Sequence, residues 1–175
     1  MLRAPSIVAL WLLASACAGH PPSPSSAGAS GLPSADALLR EVDRDGAQQV
    51  VTRLWNAPGQ WESLCARVQS GAAAWIEVAR RLRPGTDAGP SEDLAISLAL
   101  ALPEAPENVL HLVVGDLLPL ETVCTPPHLE PASGVAERWT ERALKALGQV
   151  EAPALRERRD ACRAMLLQQL HPQAQ

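Results

Sequence analysis

The chain has 175 residues, a formal net charge of −4, five Trp, and no Phe or Tyr. It contains 30 Ala and 26 Leu, whereas Val, Ile and Thr together number only 20. Because strong helix formers dominate and strand-favouring residues are scarce, the composition excludes a large sheet and predicts an all-α fold. The mild acidity argues against nucleic acid as a partner, since nucleic-acid binding is typically marked by a basic surface.

The first 16 residues have the pattern of an export signal. Arg3 supplies a short positive region, and residues 7–16 form an uncharged, mostly apolar core that ends in small residues. A core of about ten residues is too short to span a bilayer as a helix. We therefore predict a secretory signal peptide over residues 1–16.

The segment 13–17 (LASAC) resembles the lipobox of bacterial lipoproteins. This resemblance implies that Cys17 is acylated and becomes the first residue of the mature protein. Since Ala18 rather than Asp follows it, the resemblance also implies an outer-membrane lipoprotein that faces the periplasm, held to the lipid bilayer through acylated Cys17. The alternative is ordinary cleavage after Ala16, which would release a soluble periplasmic protein, because Ala14 stands where Leu or Val is most common.

Residues 17–34 consist almost entirely of Gly, Pro, Ser and Ala after the Cys. Such a composition cannot form a packed core, and it is typical of a flexible linker. We predict a lipidated Cys and tether over residues 17–34, followed by a single helical domain over residues 35–171.

Gly and Pro divide this domain into about seven short helices. Ser34 is expected to cap the first helix, and Gly46 to interrupt or bend it before a stop at residues 56–59. Further helices are predicted over about 60–69, from about 71 to the stop at Pro84, over 91–102 with Ser91 as N-cap, from Pro106 to about 113, and over 133–147 and 153–170. Residues 117–131 are expected to be irregular because they contain four Pro.

The helix predicted over 91–102 is apolar on every side, which indicates a central, buried helix. Its alternating Leu and Ile also fit a strand, but Ala fills the gaps and a cap precedes it, so a helix is favoured. The helices are expected to form an irregular bundle. Stacked hairpins, as in α-solenoids, are the alternative, because Gly46 and Gly71 begin two faintly similar segments.

Three cysteines remain if Cys17 is acylated, and an oxidising periplasm favours their pairing. Cys65 lies on the apolar face of a predicted helix with Trp61, and it is expected to behave as a small buried hydrophobe. Three pairings are possible. We favour a disulfide between Cys124 and Cys162, which would fasten the last helix to a Pro-rich loop.

No catalytic or metal site is predicted. His111 and His128 are too far apart for the helical zinc motif, and Lys145 lies in no Ser-x-x-Lys motif. Residues 41–46 resemble a calcium loop only in part, because Thr52 stands where a bidentate Glu is needed. The sequence therefore suggests no cofactor and no enzyme.

Two features are candidates for binding. Asp87, Glu92 and Asp93 lie in or after the loop 84–90 and are predicted to form an acidic contact surface. Alternatively, Asp87 satisfies a turn and the other two acids stabilise a helix start. The Trp residues of the domain, which could stack on a glycan, each fall on a predicted apolar face, so core packing is favoured.

These features together predict an anchored, all-α periplasmic lipoprotein that acts by binding, as an adaptor or scaffold for a protein partner in the envelope. An immunity-type or inhibitor lipoprotein is the first alternative. A cell-wall enzyme is the second, and it is less favoured because the usual nucleophiles, bases and metal ligands are not assembled.

Overall fold

The fold is all-α, as the composition predicts. The computed structural model describes residues 31–113, 118–127 and 134–170, and in these ranges it contains nine α-helices and no strand. The described residues belong to one unit that begins at Gly31. The helices are α1 (Ala35–Asp45), α2 (Ala47–Asn56), α3 (Gln60–Gln69), α4 (Ala73–Leu82), α5 (Ala88–Ala101), α6 (Pro106–Leu112), α7 (Leu120–Val123), α8 (Val135–Leu147) and α9 (Arg156–Leu170).

The signal peptide, Cys17 and most of the tether lie outside the described residues, so acylation and cleavage stay predictions. His128 also lies outside them. Within the described ranges, no helix combines the length and the apolar character needed to cross a bilayer.

The first two helices begin and end as the sequence predicts. The Ser34 side chain accepts a hydrogen bond of 3.3 Å from the amide of Ala37, which caps α1. Gly46 has a φ of +85°, a conformation that L side chains rarely adopt, and its N–H donates to the carbonyl of Val42. Gly46 therefore ends α1 and lets the chain turn directly into α2.

Helix α5 is the central helix of the bundle. It packs against α3, α4, α6 and α7, and its side chains Leu94, Leu98, Ala99 and Ala101 are buried. The helical interpretation of this segment is confirmed and the strand is excluded. A helix that contacts four neighbours needs apolar side chains on several of its sides, and α5 has them.

The predicted start of α5 is wrong. The helix begins at Ala88, one turn before Ser91, so Ser91 is not its N-cap. Pro90 lies within this first turn, where the absence of an N–H costs nothing because the first amides of a helix have no intrahelical partner. Asp87 takes the N-cap position, but its side chain makes no capping hydrogen bond.

The Pro-rich segment contains a short helix where an irregular segment was predicted. Helix α7 is a single turn; its last residue, Val123, and the following Cys124 are buried. Cys124 forms a disulfide with Cys162 of α9, the pairing favoured from the sequence, across a Cα–Cα distance of 5.3 Å. One turn has little stability of its own, so the covalent link and burial hold α7 in place.

The helices do not stack as a repeat. Helix α3 packs most extensively on α5, whereas α1, which would be its counterpart in a repeat, packs on α2 and α4 and makes no comparable contact with α3. The arrangement is therefore the irregular bundle rather than a regular array of hairpins.

The acidic residues of segment 41–46, which partly resembles a calcium loop, form ion pairs with arginines. The Arg53 guanidinium of α2 donates two hydrogen bonds to the Glu41 carboxylate of α1, at 2.5 and 2.8 Å. Arg81 of α4 pairs with Asp43, and the hydrogen bond from Arg44 lowers the pKa of the Asp45 carboxyl. Within the described ranges, no three acidic, His or Cys side chains are grouped closely enough to hold a metal ion.

Candidate functional site

Trp55 is exposed, and the prediction that it belongs to the core is wrong. Trp61 and Trp139 are buried and Trp75 is half-buried, but 46% of the Trp55 surface is accessible. Trp55 is the last residue but one of α2, so its side chain projects where the helix ends. Its indole meets that of Trp61 edge to face, with ring centroids 5.7 Å apart. This contact fixes the ring without covering it.

A cleft of about 300 Å³ lies beside Trp55. We call it the Trp55 cleft. One wall is α2, and the other is the segment 83–90, which leads into α5 and includes its first residues. The cleft is lined by Gln48, Val51, Thr52, Trp55, Asn56, Gly85, Asp87, Ala88, Gly89 and Pro90.

The second wall is held against α2 by close backbone packing. A Cβ added to Gly85 would lie 2.3 Å from the amide nitrogen of Gln48 and 2.5 Å from the carbonyl carbon of Ala47. Only glycine permits this approach. A Cβ on Gly89 would lie 3.1 Å from Cη2 of Trp55, so the indole also rests on the first turn of α5.

Hydrogen bonds within the segment add to its rigidity. Nη1 of Arg83 donates to the carbonyl of Ser91 at 2.6 Å, and the Thr86 hydroxyl donates to the carbonyl of Arg83 at 2.8 Å. Partial burial lowers the pKa of the Arg83 guanidinium, but the group stays charged. Ala88 has a φ of +32° and is the one non-glycine residue with a positive φ among those described. The segment is therefore fixed before any ligand arrives, and it stores some backbone strain at the cleft.

A second concave surface, of about 280 Å³, lies between α3 and α5, and Trp61 is one of its lining residues. We call it the α3–α5 groove. It is lined by Trp61, Glu62, Cys65, Gln69, Asp93, Ile96 and Ser97. Nε1 of Trp61 donates to the Asp93 carboxylate at 3.1 Å. Since Trp61 also contacts Trp55, the two indoles join the groove to the Trp55 cleft.

Cys65 is the free cysteine of the described residues, and it is buried in the wall of the α3–α5 groove. Burial raises the pKa of its thiol, and this disfavours the thiolate that a nucleophile would need. As predicted, Cys65 packs as a small apolar side chain.

The three predicted contact acids lie near the two concave surfaces but are not equivalent. Asp87 is exposed and lines the Trp55 cleft, and its side chain forms no hydrogen bond within the part of the chain that the structure describes. Asp93 lines the α3–α5 groove and is half-buried against Trp61. Glu92 is exposed on α5 and lines neither surface.

Sequence reasoning missed Trp55 and the amides of Gln48 and Asn56, which are exposed in the cleft. Periodicity could not find Trp55, because its spacing of four from Val51 fits a buried face. Its place beside the Asn-Ala-Pro-Gly stop was the available signal, since apolar residues at helix ends are less completely covered by neighbours.

The Trp55 cleft brings aromatic, polar and charged groups together. It combines an aromatic surface, two side-chain amides and a carboxylate on a rigid frame, whereas the Thr52 hydroxyl already donates to the carbonyl of Gln48 at 2.9 Å. His111, the one histidine among the described residues, is exposed on α6 and lines neither the cleft nor the groove. The lining residues therefore include no histidine to act as a base beside a nucleophile.

No family model, curated protein or solved structure matches the chain.

Proposed function

We propose that this protein is a binding or scaffold lipoprotein of the bacterial envelope that binds a protein partner through the Trp55 cleft. Acylated Cys17 would hold it in the outer membrane, and the tether would let the helical domain reach its partner in the periplasm. The observation that carries the proposal is Trp55, which is nearly half exposed above a preformed cleft.

Several properties of the cleft support a protein partner. Tryptophan is enriched among the residues that dominate binding energy at protein interfaces, because it buries a large area with few rotatable bonds. Gln48 and Asn56 add exposed hydrogen-bonding groups beside it. The rigid segment 83–90 lowers the entropy lost on binding, which favours affinity.

An immunity-type or inhibitor lipoprotein is the second candidate, and the carboxylates of Asp87 and Asp93 along the two concave surfaces favour it. If a neighbouring gene encodes a toxin and this protein neutralises that toxin, the immunity function is supported. Neighbouring genes for envelope assembly would instead support the scaffold function. A cell-wall enzyme is less well supported, since burial raises the pKa of the Cys65 thiol and no histidine lines the cleft or the groove.

We expect Trp55→Ala to reduce capture of the partner about tenfold or more, because truncating a central Trp removes the main apolar contact. The measurement is chemical cross-linking in intact cells with a tagged full-length chain, followed by quantitative mass spectrometry of the adducts. The matched control is Leu167→Ala, since Leu167 on α9 is an apolar side chain of similar exposure, at 45%.

The proposal requires a partner whose adduct is retained with Leu167→Ala and lost with Trp55→Ala. Adducts that persist with both variants would contradict a role for the Trp55 cleft.

Membrane anchoring has a separate test. Incorporation of radiolabelled palmitate into the full-length chain is expected, and Cys17→Ala should abolish it because the acylated thiol is removed. The Cys65→Ala variant is the control and should incorporate label normally, because Cys65 is buried in the folded domain. A wild-type chain without label would contradict acylation and leave the soluble periplasmic alternative.

A further inference from the structure

We infer that the partner presents an arginine-containing basic segment to the Trp55 cleft and to the adjoining α3–α5 groove. The inference rests on the proposed function and names the chemistry that the same site would recognise. Three observations carry it: the sign of the charges along the two surfaces, the exposed indole between them, and the orientation of the neighbouring cations.

Every charged side chain that lines the two surfaces is acidic. Asp87 is the charged residue of the Trp55 cleft, and Glu62 and Asp93 are those of the α3–α5 groove. Glu92 adds an exposed carboxylate on α5. Because charges of one sign focus their field in a concave surface, a cationic segment is favoured there and an anionic partner is repelled.

Two arginines that are near these surfaces in sequence lie away from them in the fold. Arg53 of α2 pairs with Glu41 of α1. Arg67 of α3 lies beside residues 31–35, on a different surface from the α3–α5 groove. These arginines therefore do not neutralise the carboxylates of the two concave surfaces.

The Trp55 indole makes an arginine side chain a better fit than an uncharged polar one. A guanidinium stacks on an indole face, where the cation is attracted to the ring electrons, and tryptophan is the strongest partner for this contact. Its N–H groups can then donate to the Asp87 carboxylate and to the amide oxygens of Gln48 and Asn56, which line the same cleft. Asp93 is oriented by Trp61 and offers a second anchor along the segment.

The inference is tested with a fluorescein-labelled peptide, Gly-Arg-Gly-Arg-Gly-Arg-Gly, and a matched peptide with Gln in place of each Arg. Binding to the mature full-length lipoprotein in neutral detergent is followed by fluorescence anisotropy at low and physiological salt. We expect the Arg peptide to bind at least about tenfold more tightly than the Gln peptide. Its affinity should fall as salt is raised.

Variants separate this site from general attraction to an acidic protein. Trp55→Ala and the double variant Asp87→Asn with Glu62→Gln, whose two carboxylates line the cleft and the groove, should each weaken Arg-peptide binding about three- to tenfold. The control Glu107→Gln with Glu141→Gln removes the same charge from α6 and α8, and it should leave binding unchanged. Equal binding of the two peptides, or equal weakening by both double variants, would overturn the inference.

Cross-linking in cells distinguishes a failure of this inference from a failure of the proposed function. If Trp55→Ala removes the adduct in cells but Asp87→Asn with Glu62→Gln retains it, the inference of a basic segment is wrong and the protein-binding function stands. If Trp55→Ala retains the adduct, the proposed function itself fails. Loss of the adduct with both variants is the result expected here.

Discussion

Removing the Cys124–Cys162 disulfide is expected to lower the free energy of unfolding by about 4 kcal/mol. The bond joins residues 38 apart in sequence, and a cross-link over such a loop restricts the unfolded chain by about that amount. Both cysteines are fully buried, so the bond also fixes α7 against α9. Without it, α7 would depend on one helical turn and a few apolar contacts.

The measurement is chemical denaturation of the double variant Cys124→Ala with Cys162→Ala, in which neither partner of the bond is left as an unpaired thiol. Cys65→Ala is the control, since it removes a buried thiol without a cross-link. It should cost about 1 kcal/mol or less. Counting thiols under denaturing conditions provides a direct check, because reduction should release two more. Equal stability of the double variant and the control would contradict a structural role for the bond.

Replacing Gly85 by Ala is expected to destabilise the protein by about 1–3 kcal/mol and to disrupt the Trp55 cleft. The new Cβ would lie within 2.8 Å of three backbone atoms of Ala47 and Gln48, and backbone atoms cannot rotate away. The segment 83–90 would have to move off α2. Capture of the partner should therefore fall together with stability.

Gly31→Ala is the matched control, because a Cβ there would meet nothing within 4 Å. Its free energy of unfolding and its partner capture should stay at wild-type values. If Gly85→Ala were as stable as Gly31→Ala and bound as well, the segment would not be packed against α2 in the way described.

Much of the fold could be predicted because local signals agree with tertiary packing. Ser34, Gly46 and Pro106 mark helix boundaries through capping, a positive φ and a first-turn proline, and each boundary stands where such chemistry puts it. The buried face of α3 follows directly from helical spacing. These features depend on residues close in sequence.

The sequence-based predictions fail where contacts between residues distant in sequence determine the structure. Helix α5 starts a turn before Ser91, where Gly89 packs on Trp55 and the Asp87 side chain at the N-cap position makes no capping hydrogen bond. Helix α7 forms in a Pro-rich segment because α5, α9 and a disulfide enclose it. Intrinsic propensity gives way to tertiary contacts at both places.

The candidate site could be predicted only in part. The loop identifies Asp87 as a candidate, but helical spacing places Trp55 in the core, because an apolar residue on a periodic face looks the same whether or not a neighbour covers it. The cleft exists because Gly85 lets two distant segments approach each other. Sequence spacing does not encode that approach.

The most direct measurement is site-specific photo-cross-linking in intact cells, with a photoreactive amino acid at Thr52 in the Trp55 cleft or at Gln149, an exposed residue of another surface. A protein adduct from Thr52 that is absent from Gln149, and that disappears when Trp55→Ala is added, is the predicted result. Equal adducts from both positions, or an adduct from Gln149 alone, would contradict binding through the Trp55 cleft.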